Sequence, residues 1–257
     1  MNQDYYKNYY HLERNHWWFV VRLEILKQEL QKIISKEKKE LRILNIGIAT
    51  GKTTEMLKKF GEVTSLEYDA TCADFVREKL NLEVIEGSVL ELPFKDNSFD
   101  MVCAFDVIEH VEDDQKAIFE MSRVCKQNGK ICITVPAFQS LWSYHDEVNQ
   151  HFRRYKMSEV VNLFDLQSKK NNFTCKLLRK TYFNSFLFVP IWLFRKLNFL
   201  IPKQFIRKGA GSDFEIYKEN KILDSLLKGI FLVEKKLFRY DISFPFGVSL
   251  LYFVEKK

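Results

Sequence analysis

The five cysteines, Cys72, Cys103, Cys125, Cys132 and Cys175, form no C-x-x-C pair, which argues against a disulfide framework or a cysteine-based zinc centre. Several fall inside apolar strand or helix patterns, as buried thiols of a reducing compartment do. The N-terminus, M-N-Q-D-Y-Y-K-N-Y-Y, has no basic stretch followed by an apolar one, so a cytoplasmic protein without a secretory signal is expected. Internal repeats and low-complexity tracts are absent, which excludes solenoids and low-complexity chains. Thr181 to Phe194 contains no charge but is only fourteen residues long, short of the ~20 that cross a bilayer. The most informative absence is of acid. Between Leu166 and Ser212 there are ten Lys or Arg and no Asp or Glu, so within a chain of net charge +6 the remainder is acidic by four. Such a face attracts phosphates, nucleic acid or anionic lipid.

At 257 residues the chain can bury a substantial core as one large domain, or as one domain with an insertion. Apolar periodicity predicts a helix over residues 5–35, with Leu23, Leu26, Leu30 and Ile33 at spacings of three and four. Strands follow at Arg42–Ile46, Val63–Tyr68 and Leu82–Glu86, with helices at Lys52–Phe60 and Thr71–Leu80 between them. A fourth strand ends on Asp106, an acid-started helix spans Asp113–Cys125, and I-C-I-T-V-P makes a fifth buried strand. Strands alternating with helices imply a parallel, doubly wound α/β sheet. After an aromatic, His-rich loop, a helix near Ser158–Ser168 and a strand near Phe173–Tyr182 resume the alternation. Two helices between 183 and about 240 interrupt it, and F-G-V-S-L-L-Y-F-V-E gives a final strand.

Leu41 to Tyr68 is a βαβ unit, and the turn after its first strand is where such units hold a nucleotide-like ligand. That turn, G-I-A-T-G-K-T-T, admits three readings. A P-loop requires G-x-x-x-x-G-K-[ST]; Gly51-Lys52-Thr53 is present, but Gly47 is one residue too close. A dinucleotide fingerprint, G-x-G-x-x-G, fits poorly. The third is Asn45-x-Gly47-x-Ala49-x-Gly51 with an acid, Glu67, ending the second strand. A glycine turn lets the backbone approach a ligand where Cβ atoms would collide, and a carboxylate at that strand end accepts ribose hydroxyls.

Taken with Gly87-Ser88-Val89, L-P-F-x-x-x-S-F-D, D-V-I-E-H from Asp106 and V-C-K-Q-N-G-K-I-C-I-T-V-P, the third reading resembles the class I S-adenosylmethionine-dependent methyltransferases of the type 11 kind. The resemblance implies a Rossmann-like seven-stranded sheet with the last strand antiparallel, a helical insertion before that strand, and S-adenosylmethionine as cofactor, with S-adenosylhomocysteine as product. It implies cofactor contacts from Asn45, Gly47, Ala49, Gly51, Glu67, Tyr68, Ser88, Val89, Phe105 and Asp106. Asn45 stands where the family carries an acid and Ala49 where it carries a central glycine, so weaker or slightly shifted cofactor binding is expected. H-W-W-F-x-x-R near the start, W-S-x-H-D-x-x-x-x-H-x-R-R-Y and F-P-F-G-x-S-L resemble a bacterial subgroup of largely unassigned substrate, extending the likeness over nearly the whole chain.

On the acceptor side, His145 with Asp146, together with His151, is expected to act as a base or orienting pair for a hydroxyl or amine. Arg153 or Arg154 would grip an acidic acceptor, with Trp17, Trp18, Arg22, His110 and Tyr155 around it. A structural His and Arg network pinning the loop explains the same residues. No metal is expected, because no Cys accompanies these His at ligand spacing. The division expected is a helical lid over 1–40, a cofactor-binding core over 41–182, a basic aromatic insertion over 183–245 and a final core strand over 246–257. The acceptor implied is a small molecule, with a glycan or lipid-linked intermediate in view. Phe, Trp and Leu beside Lys and Arg in the insertion suit a helix on an anionic membrane surface, at the inner membrane face; a dimer interface or a cap over the acceptor site explains their apolarity equally. Nucleic acid is not expected, since the basic residues are interleaved with apolar runs. Two alternatives remain: a non-catalytic protein of methyltransferase fold that binds membrane or a partner, and a P-loop NTPase.

Overall fold

In the computed structural model, residues 3–34, 40–171, 173–199 and 221–257 are described. Two N-terminal helices, α1 (Gln3–Asn15) and α2 (Trp17–Ile34), replace the single helix expected. The break falls at His16, whose ring nitrogen accepts the Trp18 amide at 3.3 Å. Then follow β1 (Leu41–Ile46), α3 (Lys52–Leu57), β2 (Gly61–Glu67), α4 (Ala70–Leu80), β3 (Val84–Glu86), β4 (Phe99–Phe105), α5 (Asp114–Val124) and β5 (Cys125–Pro136). The second half holds α6 (Tyr144–Val148), α7 (Met157–Lys170), β6 (Cys175–Phe183), α8 (Phe188–Phe199), α9 (Lys221–Phe238) and β7 (Ser249–Lys256). Asp69 caps α4 by accepting from the Cys72 amide, and Asp113 caps α5 through Lys116, each satisfying an N-terminal N–H that the helix itself leaves open.

The strands form one seven-stranded sheet in the order β3-β2-β1-β4-β5-β7-β6. Neighbours from β3 through β5 run parallel, and β7 lies antiparallel between β5 and β6, so the doubly wound sheet with an antiparallel last strand is as expected. Its central strands are apolar on both faces because helices cover both. On one face Leu44, Ile46, Val102, Ile131 and Ile133 pack with Ile118 and Met121 of α5 and Val160 and Phe164 of α7. On the other, Ile43, Met101, Cys103 and Cys132 meet Val21, Ile25 and Leu26 of α2 and Phe231 of α9. Of the N-terminal segment, α2 is thus largely a wall of the core, and α1 reaches over the cleft edge, where Tyr6 packs with Phe75 and Val76 of α4. The five thiols are unpaired, four of them buried. No helix among the described residues is long and apolar enough to cross a membrane. Lys203, Arg207 and Lys208 of the basic stretch lie outside the described residues.

Candidate functional site

The C-terminal ends of β1, β2, β4 and β5 open into a cleft of about 1930 Å³, roofed by α1, the start of α2 and parts of α8 and α9. Ligands bind at this edge of open α/β sheets because the strand order reverses there and the following loops diverge.

Two positions in the β1–α3 turn require glycine. Gly47 has φ +66°, and a Cβ there would lie 2.5 Å from Val107 Cγ2; Gly51 has φ +85°, and its Cβ would lie 2.7 Å from Leu80 Cδ1. Ala49 also adopts positive φ, 47°. Its amide donates to Glu67 Oε2 at 3.1 Å, while the amides of Tyr68 and Asp69 donate to Oε1 at 2.9 and 3.2 Å. The glycine turn is therefore tied to the β2 end through one carboxylate, which still has lone pairs for a ligand. Burial raises the Glu67 pKa, against the pull of those three amides.

Gly47, Ala49, Glu67, Tyr68, Ser88, Val89, Phe105 and Asp106 all line the cleft. Asn45 and Gly51 do not. Asn45 is buried beneath the turn, donating to Thr53 Oγ1 at 3.0 Å and Thr54 Oγ1 at 2.9 Å; its role is to fasten β1 to the start of α3. The turn is closed from outside by α1. Glu13 accepts from Thr50 Oγ1 and from the Lys52 amide at 3.4 Å, while Lys52 Nζ is held by Glu55 at 2.8 Å. A carboxylate thus sits where a P-loop would hold phosphate, and the lysine faces another acid, which removes the NTPase reading. The residues present do fit an adenosine-bearing cofactor: the cradle excludes Cβ atoms, and a ribose-accepting carboxylate stands beside it.

The floor of the cleft carries a buried ionic link. Arg22 Nη2 lies 2.7 Å from Asp106 Oδ2 and donates to Thr134 Oγ1 at 3.2 Å, and Thr134 Oγ1 donates to Asp106 Oδ1 at 2.9 Å. Asp106 adopts φ 59°, which turns its carboxylate back under α2. Thr134 has no sequence signal beyond a polar residue in an apolar strand.

Trp17, Trp18, Arg22, His110, His145, His151 and Arg154 line the cleft. The pairing of His145 with Asp146 expected from sequence is not what the fold makes. Asp146 is fully buried and its Oδ1 receives His151 Nδ1 at 2.9 Å and Arg154 Nε at 2.8 Å; His145 meets Asn149 instead. Burial would raise the Asp146 carboxyl, but His151 and Arg154 outweigh it and hold it well below the usual carboxylate range. Arg153 and Tyr155 turn away and converge on Asp114 Oδ2, at 2.8 and 3.0 Å, where they pin the loop to α5. Sequence reasoning missed Glu109. It stands in the D-V-I-E-H motif without an assigned role, and its side chain, though fully buried from solvent, borders the cleft. Burial, and then the Asp106 charge, push its carboxyl well above the usual range.

Residues 44–133 match the family model described as a methyltransferase domain. Among curated relatives, an uncharacterized protein of Methanocaldococcus jannaschii is 28% identical over 65% of this chain and 68% of its own length. A demethylmenaquinone methyltransferase of Staphylococcus aureus is 31% identical over 42% of this chain. That match spans about half, 51%, of the Staphylococcus enzyme. The YcgJ protein of Bacillus subtilis shares the fold, with a TM-score of 0.50 and 17% identity over 89% of this chain and 96% of that one. The matched domain runs from β1 into β5 and so contains the strand ends that border the Glu67 side of the cleft, and over residues 44–133 the chain is similar to the methyltransferase-domain family.

Proposed function

We propose that the chain transfers the methyl group of S-adenosylmethionine to an oxygen or nitrogen of an amphipathic small molecule, of the lipid-linked or glycan kind. The observation that carries the cofactor assignment is the Glu67 carboxylate, fixed by the amides of Ala49, Tyr68 and Asp69 and open to the cleft. When bound, the cofactor supplies an electrophilic methyl on a sulfonium. Glu67 would accept the ribose hydroxyls, Gly47 and Ala49 would pass beside the methionine portion, and Ser88, Val89 and Phe105 would border the adenine. The protein's remaining work is to place the acceptor in line and exclude water, which by itself supplies several kcal/mol (roughly 7–11 in well-oriented systems).

The acceptor half of the cleft has two kinds of wall. Trp17, Trp18, Leu187, Ile191, Leu223 and Leu227 are apolar, and His110, His145, His151 and Arg154 are polar. That division suits a molecule with a hydrocarbon portion and a nucleophilic head. His151, held by Asp146 through Nδ1, keeps a fixed orientation on that polar wall. Val189, Leu193 and Leu197 on α8 and Ile222 and Leu226 on α9 are exposed apolar side chains beside the entrance helices, consistent with loading from an anionic membrane surface at its inner face.

Calorimetry with S-adenosylmethionine and S-adenosylhomocysteine tests the cofactor, and S-adenosylhomocysteine release in the presence of lipid-linked sugars, isoprenoid phenols and soluble glycans tests the acceptor. Saturable heat with both cofactor forms, and release with an amphipathic acceptor, is the expected result. Absence of heat up to millimolar cofactor refutes the assignment.

A further inference from the structure

The cluster left without a role by cofactor binding is Glu109, His110 and His151. One ligand atom from each can be chosen so that all lie within 4.8 Å of one another. Glu109 and His110 come from the 3-10 turn Ile108–His110 after β4, and His151 from the loop after α6. The backbone joins the two loops directly, since the Phe152 amide donates to the Glu109 carbonyl at 2.7 Å.

Glu109 is fully buried, and neither of its carboxylate oxygens has a hydrogen-bond partner. A buried carboxylate with no donor on either oxygen costs free energy unless something cationic or donating completes it. Arg22 and Arg154 are already committed, to Asp106 and Asp146 respectively. Facing Glu109 are two imidazoles whose rings stand 4.5 Å apart, centroid to centroid, at 86°. His151 donates Nδ1–H to the Asp146 carboxylate at 2.9 Å, which leaves Nε2 as a lone-pair donor. A carboxylate behind an imidazole is the arrangement that orients a histidine toward a metal ion and raises its basicity.

We propose that Glu109, His110 and His151 bind one divalent first-row transition-metal ion, Zn²⁺ or a neighbour in that row, at the acceptor end of the cleft. Two imidazoles and one carboxylate form a donor set suited to such an ion rather than to Mg²⁺ or Ca²⁺, which prefer all-oxygen shells. Ligand atoms ~2.0–2.2 Å from a tetrahedral ion lie ~3.3–3.6 Å apart, so from a spread of up to 4.8 Å the cluster closes by about 1 Å, within reach of side-chain rotation. Three protein ligands leave a coordination position open, and because His110 and His151 line the cleft that position faces the acceptor. There the ion would lower the pKa of a coordinated hydroxyl and fix it in place. That role rests on the methyl-transfer reading; the existence of the ion site does not. Sequence reasoning discounted metal because it looked for Cys beside His, whereas these ligands come together only when two loops meet.

The test uses the full chain, stripped with chelator and titrated with Zn²⁺ by calorimetry and with Co²⁺ by visible absorption. One ion per chain is expected, with Co²⁺ bands of a nitrogen- and oxygen-ligated centre. Glu109→Gln and His151→Ala should each lose affinity by at least the ~10–100-fold typical of disturbing even an outer-shell partner, while His145→Ala keeps it. Thermal melts of each variant without metal show whether it folds, and the wild-type Co²⁺ spectrum stands independently of the variants. Absence of stoichiometric Zn²⁺ or Co²⁺ binding to the wild type, or wild-type affinity in both ligand variants, overturns the proposal. Cofactor calorimetry on the same samples separates the two readings: cofactor binding without metal binding sinks only the ion site, and metal binding without cofactor binding sinks only the methyl-transfer assignment.

Discussion

Replacing Glu67 by Gln removes one charge and turns one acceptor oxygen into a donor, at a group that ties the turn together and, on the proposed reading, holds the ribose. In the structure Oε1 takes two amide hydrogens and Oε2 takes one. Wherever the new NH₂ is placed it confronts at least one of those N–H groups, and it cannot accept from a ribose hydroxyl. Hydrogen bonds to a charged group contribute ~1.5–3 kcal/mol; losing one on the ligand side is a loss of ~10–150-fold in S-adenosylmethionine affinity at 1.4 kcal/mol per tenfold. Losing the Ala49 bond costs the unliganded protein a further ~1–3 kcal/mol. Calorimetry on variant and wild type measures the first effect, and denaturant unfolding without ligand measures the second. The pH dependence adds a signature. Because burial raises the Glu67 pKa, wild-type affinity falls as acidification protonates the carboxyl, while the Gln variant is flat over that range. Affinity of Glu67→Gln within twofold of wild type would refute the ribose assignment.

Gly47→Ala places a Cβ 2.5 Å from Val107 Cγ2 at φ +66°; left-handed strain of ~1–2 kcal/mol and crowding of ~1–3 kcal/mol should lower the melting temperature and weaken cofactor binding together. Asp146→Asn strips the charge that neutralises buried Arg154, and the expected loss is ~3–5 kcal/mol, read by urea unfolding at neutral pH. Glu234 on α9 accepts the Ser185 amide at 2.6 Å, yet burial raises its pKa from 4.5 to about 7. The folded state therefore holds this proton more tightly than the unfolded chain, so stability declines as pH rises from the unfolded value through about 7, by up to about 3 kcal/mol. Glu234→Gln should flatten that decline and raise the melting temperature above pH 7.

The sheet was legible in the sequence because each central strand is a short apolar run bounded by turn residues and followed by a helix with a 3.6-residue pattern, and local periodicity is enough for that. Gly47 and Glu67 were legible for a similar reason: both sit at strand ends, where the backbone direction fixes which side of the sheet they reach. The acceptor side was not. His145 lies within a five-residue helix and His151 just after it, and which of them meets Asp146 depends on where the loop folds back onto the turn after β4, a contact between residues far apart in sequence. The same contact decides that Arg154 enters the cleft while Arg153 and Tyr155 leave it for Asp114. It also brings His151 to the buried Glu109 and its sequence neighbour His110. By itself the sequence determined the order and type of the sheet's elements and the strand ends that border the cleft, because those follow from periodicity and strand termini; only the tertiary structure decided the break at His16 and the pairing of charges across loops, because burial and partner are properties of the packed chain.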